Sequence, residues 1–324
     1  MPKCRFAMQT GNSFPDLSWF ALSMSLGIIS ISAYYNGLET LSLGFLYTDI
    51  VAILALTGWF LIMVLKTHNR PTCQSTACRY GLFSAVAAAS ILAVRLSYSG
   101  IEIPWLYYML LSLFLLAAFL ISKPSFPLQI WNEMGKIDTS LSIFPISMLS
   151  VAIATSASGM GFQAFASVLG TLSIIIFFVF QGRLMASIFE HGLEEICASG
   201  ALFINFGFPA LSAIFFHQLS NQVLIYGMLP IHELLILLSV ILWSWATVLF
   251  PVMAAIYLAS SSGIRFATSK LAMVFPIAVY SVSASLLSSK LGTVMETISL
   301  AFLFSSIAVL AVLAMELTYS RTHF

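Results

Sequence analysis

The chain has 324 residues, 60% of them hydrophobic and only 8% charged, with 13 Lys and Arg against 12 Asp and Glu and a net charge of +1. Soluble proteins carry about a quarter charged residues, so this chain cannot cover a water-facing surface of its own size, and lipid is its solvent. A near-neutral balance without a long basic run provides no field for nucleic acid, which excludes it as a partner.

From the amino end, residues 1–15 are polar, carry isolated Lys3 and Arg5 and lack the apolar core of a cleavable signal, so the first span is expected to be retained. Apolar stretches follow at 16–35, 45–65, 80–98, 103–122, 141–159, 163–181, 198–217, 234–259, 268–288 and 292–316, each near the ~20 residues that cross a bilayer as a helix. Pro230, Pro251 and Pro276 interrupt the apolar sequence between 220 and 290, where hydropathy alone allows other counts. Charge selects ten spans. With both ends cytoplasmic, Lys3, Arg5, Lys66, Arg70, Arg79, Lys123, Lys136, Arg183, Arg265, Lys270 and Arg321 fall inside, eleven of the 13 basic residues, and only Arg95 and Lys290 fall outside. The expected architecture is a single transmembrane domain over 1–324 in the cell membrane, all-α, with ten helices paired as five hairpins and both termini cytoplasmic. No regulatory domain is expected in the short segments beyond the first and last spans.

Cys4, Cys73, Cys78 and Cys197 all fall near the cytoplasmic face, where thiols stay reduced, so no disulfide is expected. Cys73 and Cys78 are spaced at the wide end of the zinc range and the nearby His68 is unpaired, so neither a metal nor a cofactor is expected.

The odd-numbered spans differ from their partners. Ser23, Ser25 and Gly27 in span one, Pro145, Ser147, Ser150 and Ser156 in span five, Gly200, Gly207 and Pro209 in span seven, and Pro276, Ser281, Ser283 and Ser285 in span nine form a recurrent small and kinked pattern. Even spans such as 110–120 and 300–313 are richer in Leu, Ile and Phe. An inner ring around a central pore and an outer, lipid-facing ring follow as the expectation. The lining is expected to offer Ser, Thr, Gly and Phe, hydroxyl dipoles that replace part of an anion's water without holding it tightly. It contains no carboxylate cluster, His-Glu relay or buried Lys or Arg. Asp49, Arg95 and Glu102 read as interfacial anchors, Glu316 as a snorkelling side chain, and His217 and His232 as outer-loop residues. No motif of an enzyme occurs.

The order of Phe14-Pro15, Trp19-Phe20-Ala21 and Gly27, Trp59 with Lys66 and Arg70, Phe144-Pro145 with Ser150, Arg183-Leu184, Phe208-Pro209-Ala210-Leu211-Ser212 and Phe275-Pro276 resembles the tellurite-resistance and dicarboxylate-transporter family, which includes the slow anion channels of plant guard cells. The resemblance covers nearly the whole chain, although 81–93 lacks the proline that relatives often carry in span three. It implies five hairpins about a quasi-fivefold axis, odd helices lining a conduit, a phenylalanine of span nine closing it, and a homotrimer with one pore per subunit. Carried onto this sequence, the gate is Phe275 with Pro276, and the pore-lining candidates are Phe20, Gly27, Phe144, Pro145, Phe208, Pro209, Val279, Val282 and Ser283. Phe250-Pro251 resembles the same motif, but Arg265 and Lys270 before span nine and Ser281 to Ser285 after the kink favour Phe275. The expected function is a channel for small inorganic or organic anions. The alternatives are a gradient-coupled exporter of C4-dicarboxylates, sulfite or tellurite-type oxyanions, and a non-transporting scaffold.

Overall fold

The computed structural model describes residues 19–66, 76–101, 109, 112, 142–157, 163–191, 203–260 and 270–322. These residues form helices and no strand: α1 Phe20–Tyr35, α2 Glu39–Lys66, α3 Thr76–Tyr98, α4 Ile143–Ala157, α5 Gln163–His191, α6 Ile204–Ile225, α7 Leu229–Ser260, α8 Leu271–Leu291 and α9 Thr293–Thr322. Phe14, Pro15, Arg70, Cys73, Arg265 and nearly all of span four, 103–122, lie outside the described residues. Helix is the outcome because a lone strand leaves backbone donors and acceptors unmet in hydrocarbon, whereas a helix satisfies them within itself. Five stretches are long and apolar enough to cross a membrane: Glu39–Ile62, Gln163–Ala186, Leu229–Leu258, Leu271–Leu291 and Thr293–Tyr319. The protein is therefore a multi-pass membrane protein.

Several helices outrun the apolar stretches that announced them, α5 by ten residues to His191, and two of them do so with polar residues that reach other helices. Helix α2 starts at Glu39 rather than 45, and α6 covers Ile204–Ile225 rather than 198–217. Both extensions carry polar residues, Ser42 in α2 and Gln218 and Gln222 in α6, that bond to other helices instead of ending their own. Pro230 sits in the first turn of α7, where a missing N–H costs nothing, while Pro251 and Pro276 lie inside α7 and α8.

The helices form two layers. Pairs α1/α2, α4/α5, α6/α7 and α8/α9 pack as antiparallel hairpins, while α1, α3, α4, α6 and α8 touch in sequence and close on themselves as a ring, α8 returning to α1. Burial separates the layers: 78% of the apolar stretch of α8 is buried, against 11% of that of α2. The ring helices run parallel, because their C-terminal ends meet. Ser285 Oγ of α8 donates to Tyr35 O of α1 at 3.4 Å, Gln218 Nε2 of α6 to Tyr98 Oη of α3 at 2.9 Å, and Gln222 Nε2 of α6 to Ser156 O of α4 at 2.9 Å.

Three of these ends share one turn. Gly37, Gly100 and Gly227 have φ of 72°, 72° and 71°, the left-handed region that a side chain disfavours. The following amides of Leu38, Ile101 and Met228 donate back to Ala33, Leu96 and Val223 carbonyls at 2.9, 3.1 and 3.4 Å, the Schellman pattern that stops a helix within one residue. Each hairpin is also stitched by a serine of its outer helix that donates to an inner-helix carbonyl: Ser42 to Ser30, Ser173 to Pro145, Ser239 to Ala213 and Ser299 to Ser281, at 2.6–2.8 Å. Such bonds average about 0.6 kcal/mol within membranes.

Candidate functional site

The ring helices line a small axial cavity of about 20 Å³. Every ring helix contributes to its wall: Ile28 and Ile31 of α1, Ile91, Val94 and Tyr98 of α3, Ser150 and Ile153 of α4, Leu211, Ile214 and Gln218 of α6, and Val282 of α8. Spacings of three and four residues place each set on one helical face. Among the described residues, no Asp, Glu, Lys, Arg or His borders the cavity.

The wall of this cavity is mainly aliphatic, where Ser, Thr, Gly and Phe were expected to line the pore, and among the described residues its polar atoms come from Tyr98, Ser150 and Gln218. Most ring serines instead satisfy carbonyls or bridge neighbours. Ser25 donates to Ala21 O at 2.7 Å, Ser32 meets Ser281 across α1 and α8 at 2.6 Å, and Ser283 donates to Tyr280 O at 2.9 Å.

Of the candidate lining residues, Val282 borders this cavity. Val279 and Phe275 continue the same face of α8 toward its N-terminus and are fully buried. Pro276 packs on α6, where a Cβ added to Gly207 would stand 2.6 Å from Pro276 Cβ. Gly27 faces α2 and α3, since an added Cβ would stand 2.7 Å from Asp49 Oδ2 and 2.9 Å from Ile91 Cγ2. Phe20 is buried at the start of α1. Phe144 meets Phe83 edge-on at 5.0 Å between α4 and α3, and the Pro145 carbonyl accepts from Ser173 of α5. Phe208 stacks on Phe177 at 3.9 Å, which turns its ring to the outer helix α5, and Pro209 lies buried inside α6. Phe250, on the outer helix α7, meets Phe206 and Phe302 edge-on at 5.2 Å each.

Two charged residues are not the interfacial anchors expected of them. Asp49 is 0% exposed, well inside α2 because that helix starts early; Oδ1 accepts from Ser23, and Oδ2 has no partner among the described residues. Arg95 is 2% exposed in the last turn of α3. Its Nε donates to Ser30 and Ser42 Oγ at 3.1 Å, Nη2 to Ser42 Oγ at 2.8 Å and Nη1 to Ser99 Oγ at 2.7 Å, with the Tyr34 ring centroid 4.7 Å away. No carboxylate among the described residues pairs with it. His217 and His232 are buried inside α6 and α7 rather than in a loop, with His232 Nδ1 3.0 Å from Ser220 O. Glu316 pairs with Lys270 at 2.9 Å, tying the entry of α8 to the end of α9. None of these five borders the cavity.

The remaining field comes from the backbone. Helix N-termini act as roughly half a positive charge each, and the parallel ring gathers them at one mouth. The result is an apolar cavity whose surrounding helices gather their positive ends on one side.

No curated protein matches the chain. The family described as SLAC1, voltage-dependent anion channel, matches residues 16–318. With that match over nearly the whole length of a multi-pass helical protein, the chain belongs to the voltage-dependent anion channel family, whose members move anions across membranes and are not enzymes.

Proposed function

We propose that the protein is a passive channel for small anions in the cell membrane, with a pore running along the axis of the helical ring and closed at rest by Phe275 beside Pro276. The observation that supports this reading is the cavity lined by all five ring helices, with no carboxylate, lysine, arginine or histidine on its wall among the described residues. A gradient-coupled carrier needs a titratable or charged group that meets its cargo, and a scaffold needs no cavity. The reading includes ten spans in five hairpins, with span four completing the outer layer, and a homotrimer with one pore per copy, the latter resting on family resemblance alone.

Purified protein in liposomes is expected to carry chloride and nitrate without a proton gradient, with modest preference among small monovalent anions and in the order of dehydration cost. Sulfite and malate are the comparison substrates. A reversal potential that follows sodium or potassium, a saturable high affinity for a single dicarboxylate, or flux that requires a proton gradient would remove the channel reading.

The same reading places both termini and the segment with Lys66, Arg70, Cys73, Cys78 and Arg79 in the cytoplasm. A membrane-impermeant thiol reagent added outside intact cells should leave Cys73 and Cys78 unlabelled and should reach them after permeabilisation. Labelling from outside would sink the orientation and the ten-span count with it.

A further inference from the structure

Among the buried hydroxyls of the ring, those of Ser84 and Ser150 have no hydrogen-bond partner among the described residues, and of the two only Ser150 borders the axial cavity. A serine or threonine inside a helix commonly bonds the carbonyl four residues back, and Ser25, Ser90, Thr155 and Ser212 do so at 2.7–3.0 Å. Ser150 Oγ has no hydrogen-bond partner among the described residues although the side chain is only 3% exposed, and it borders the axial cavity. A buried hydroxyl left unmet is costly, so this position calls for an acceptor that the helices themselves do not provide.

A second donor comes from two other ring helices. Gln218 Nε2 donates to Tyr98 Oη at 2.9 Å, both residues border the cavity, and Gln218 Oε1 has no partner among the described residues. In this arrangement the Tyr98 hydroxyl receives the amide and also meets the Tyr35 hydroxyl, so that one of the two phenolic protons remains for another acceptor. With the amide turned over, the Tyr98 proton satisfies Oε1 and the NH₂ group retains its donors. Either orientation leaves a donor beyond the internal bond.

We infer that Ser150 together with the Tyr98–Gln218 pair forms a binding station for one weakly hydrated monovalent anion in the axial cavity. The inference rests on the anion-channel reading and adds a preference to it. Two or three neutral donors replace only part of a hydration shell, and walls such as Ile91 and Ile153 replace none of it. Anions that hold water loosely, thiocyanate and iodide before chloride, therefore occupy the station, whereas fluoride and sulfate stay hydrated outside.

The test is the concentration dependence of thiocyanate and chloride currents through the purified protein in planar bilayers, paired with chloride NMR line broadening by the same protein and its competition by thiocyanate. Wild type should half-saturate at lower thiocyanate than chloride. Ser150→Ala should raise the half-saturating thiocyanate concentration about tenfold, as loss of one hydrogen bond to a charged group implies. Ser150→Thr, which keeps the hydroxyl, should restore it, and Tyr98→Phe should shift it in the same direction as Ser150→Ala. Should Ser150→Ala fail to fold, Tyr98→Phe decides by the same readout. Half-saturation unchanged in a folded Ser150→Ala or Tyr98→Phe protein overturns the station, while the persisting current leaves the channel reading intact. A wild type with no anion current overturns the channel reading instead, and the line broadening then decides the station separately: broadening that thiocyanate competes away and Ser150→Ala removes supports it, and no such broadening overturns it.

Discussion

Phe275→Ala protein is expected to pass anions at about ten times the wild-type rate or more, since an aromatic plug worth even ~1.4 kcal/mol of barrier holds conduction back tenfold. The reason lies in the shared face of α8. Val282 borders the cavity, and Val279 and Phe275 stand three and seven residues before it, so the Phe275 ring points along the same side about 10 Å nearer the N-terminal mouth. The ring is 1% exposed. Among the described residues it stacks on no other aromatic ring, whereas Phe144, Phe206, Phe208 and Phe250 each meet one on a neighbouring helix. A phenylalanine that merely filled the core would behave otherwise on truncation, costing about 3–5 kcal/mol of stability and lowering the yield without any gain of current. Single-channel or liposome recordings on folded Phe275→Ala protein separate the two outcomes by sign. Conduction no better than wild type ends the gate, and an equal gain from Phe250→Ala would move it to the outer helix.

Gly207→Ala is expected to abolish most of the folded protein. The added Cβ would stand 2.6 Å from Pro276 Cβ and 2.9 Å from Pro276 Cα. One of these is backbone, and the proline ring carries the other on a side chain that cannot rotate away. Relief therefore demands that α6 and α8 separate, and overpacking of this kind costs about 1–3 kcal/mol where side chains can adjust and more where they cannot. Gly44→Ala serves as the control, because nothing lies within 4 Å of its added Cβ. Thermal midpoint and monodispersity in detergent should fall sharply for the first and stay at wild type for the second. A Gly207→Ala protein as stable as Gly44→Ala would mean that the close approach of the two helices is not needed.

The all-helical, membrane-embedded character of the described residues was legible in the sequence for a simple reason: in lipid, a long apolar run has no folded alternative to helix. Direction was not legible. A ring helix is buried on both its axial and its outer side, as the full burial of Ser23, Ser25, Ser147 and Ser281 illustrates, so no polar stripe marks which side faces the axis. Small residues accordingly suggested a hydroxyl-rich lining, while the structure gives most of those hydroxyls to carbonyls and leaves the wall to Ile, Val and Leu. Asp49 and Arg95 were misplaced because their partners are remote in the chain: Ser23 lies 26 residues from Asp49, and Ser30 lies 65 from Arg95. The early start of α2 and the late end of α6 were hidden by polar residues that hydropathy counts as loop. One available signal went unread. Tyr35-Asn36-Gly37-Leu38, Tyr98-Ser99-Gly100-Ile101 and Tyr226-Gly227-Met228 repeat an aromatic residue, a glycine and an aliphatic residue at successive helix ends, and the structure turns all three identically.

The guanidinium of Arg95 also bears on how the chain can be assembled. A charged side chain costs about 3 kcal/mol at the centre of a membrane helix and less toward its end, where Arg95 lies in the last turn of α3 with no carboxylate among the described residues to offset its charge. Its acceptors on other helices, Ser30 of α1 and Ser42 of α2, both precede it in the chain. During synthesis from the amino end, the first hairpin is therefore already in place when α3 leaves the translocation machinery, and the two serines present a ready receptor for the arginine. Reversed in order, the same helices would have to deliver the charge into lipid first and find its partners later. The order of the helices along the chain thus sets the two serines before the arginine that they receive.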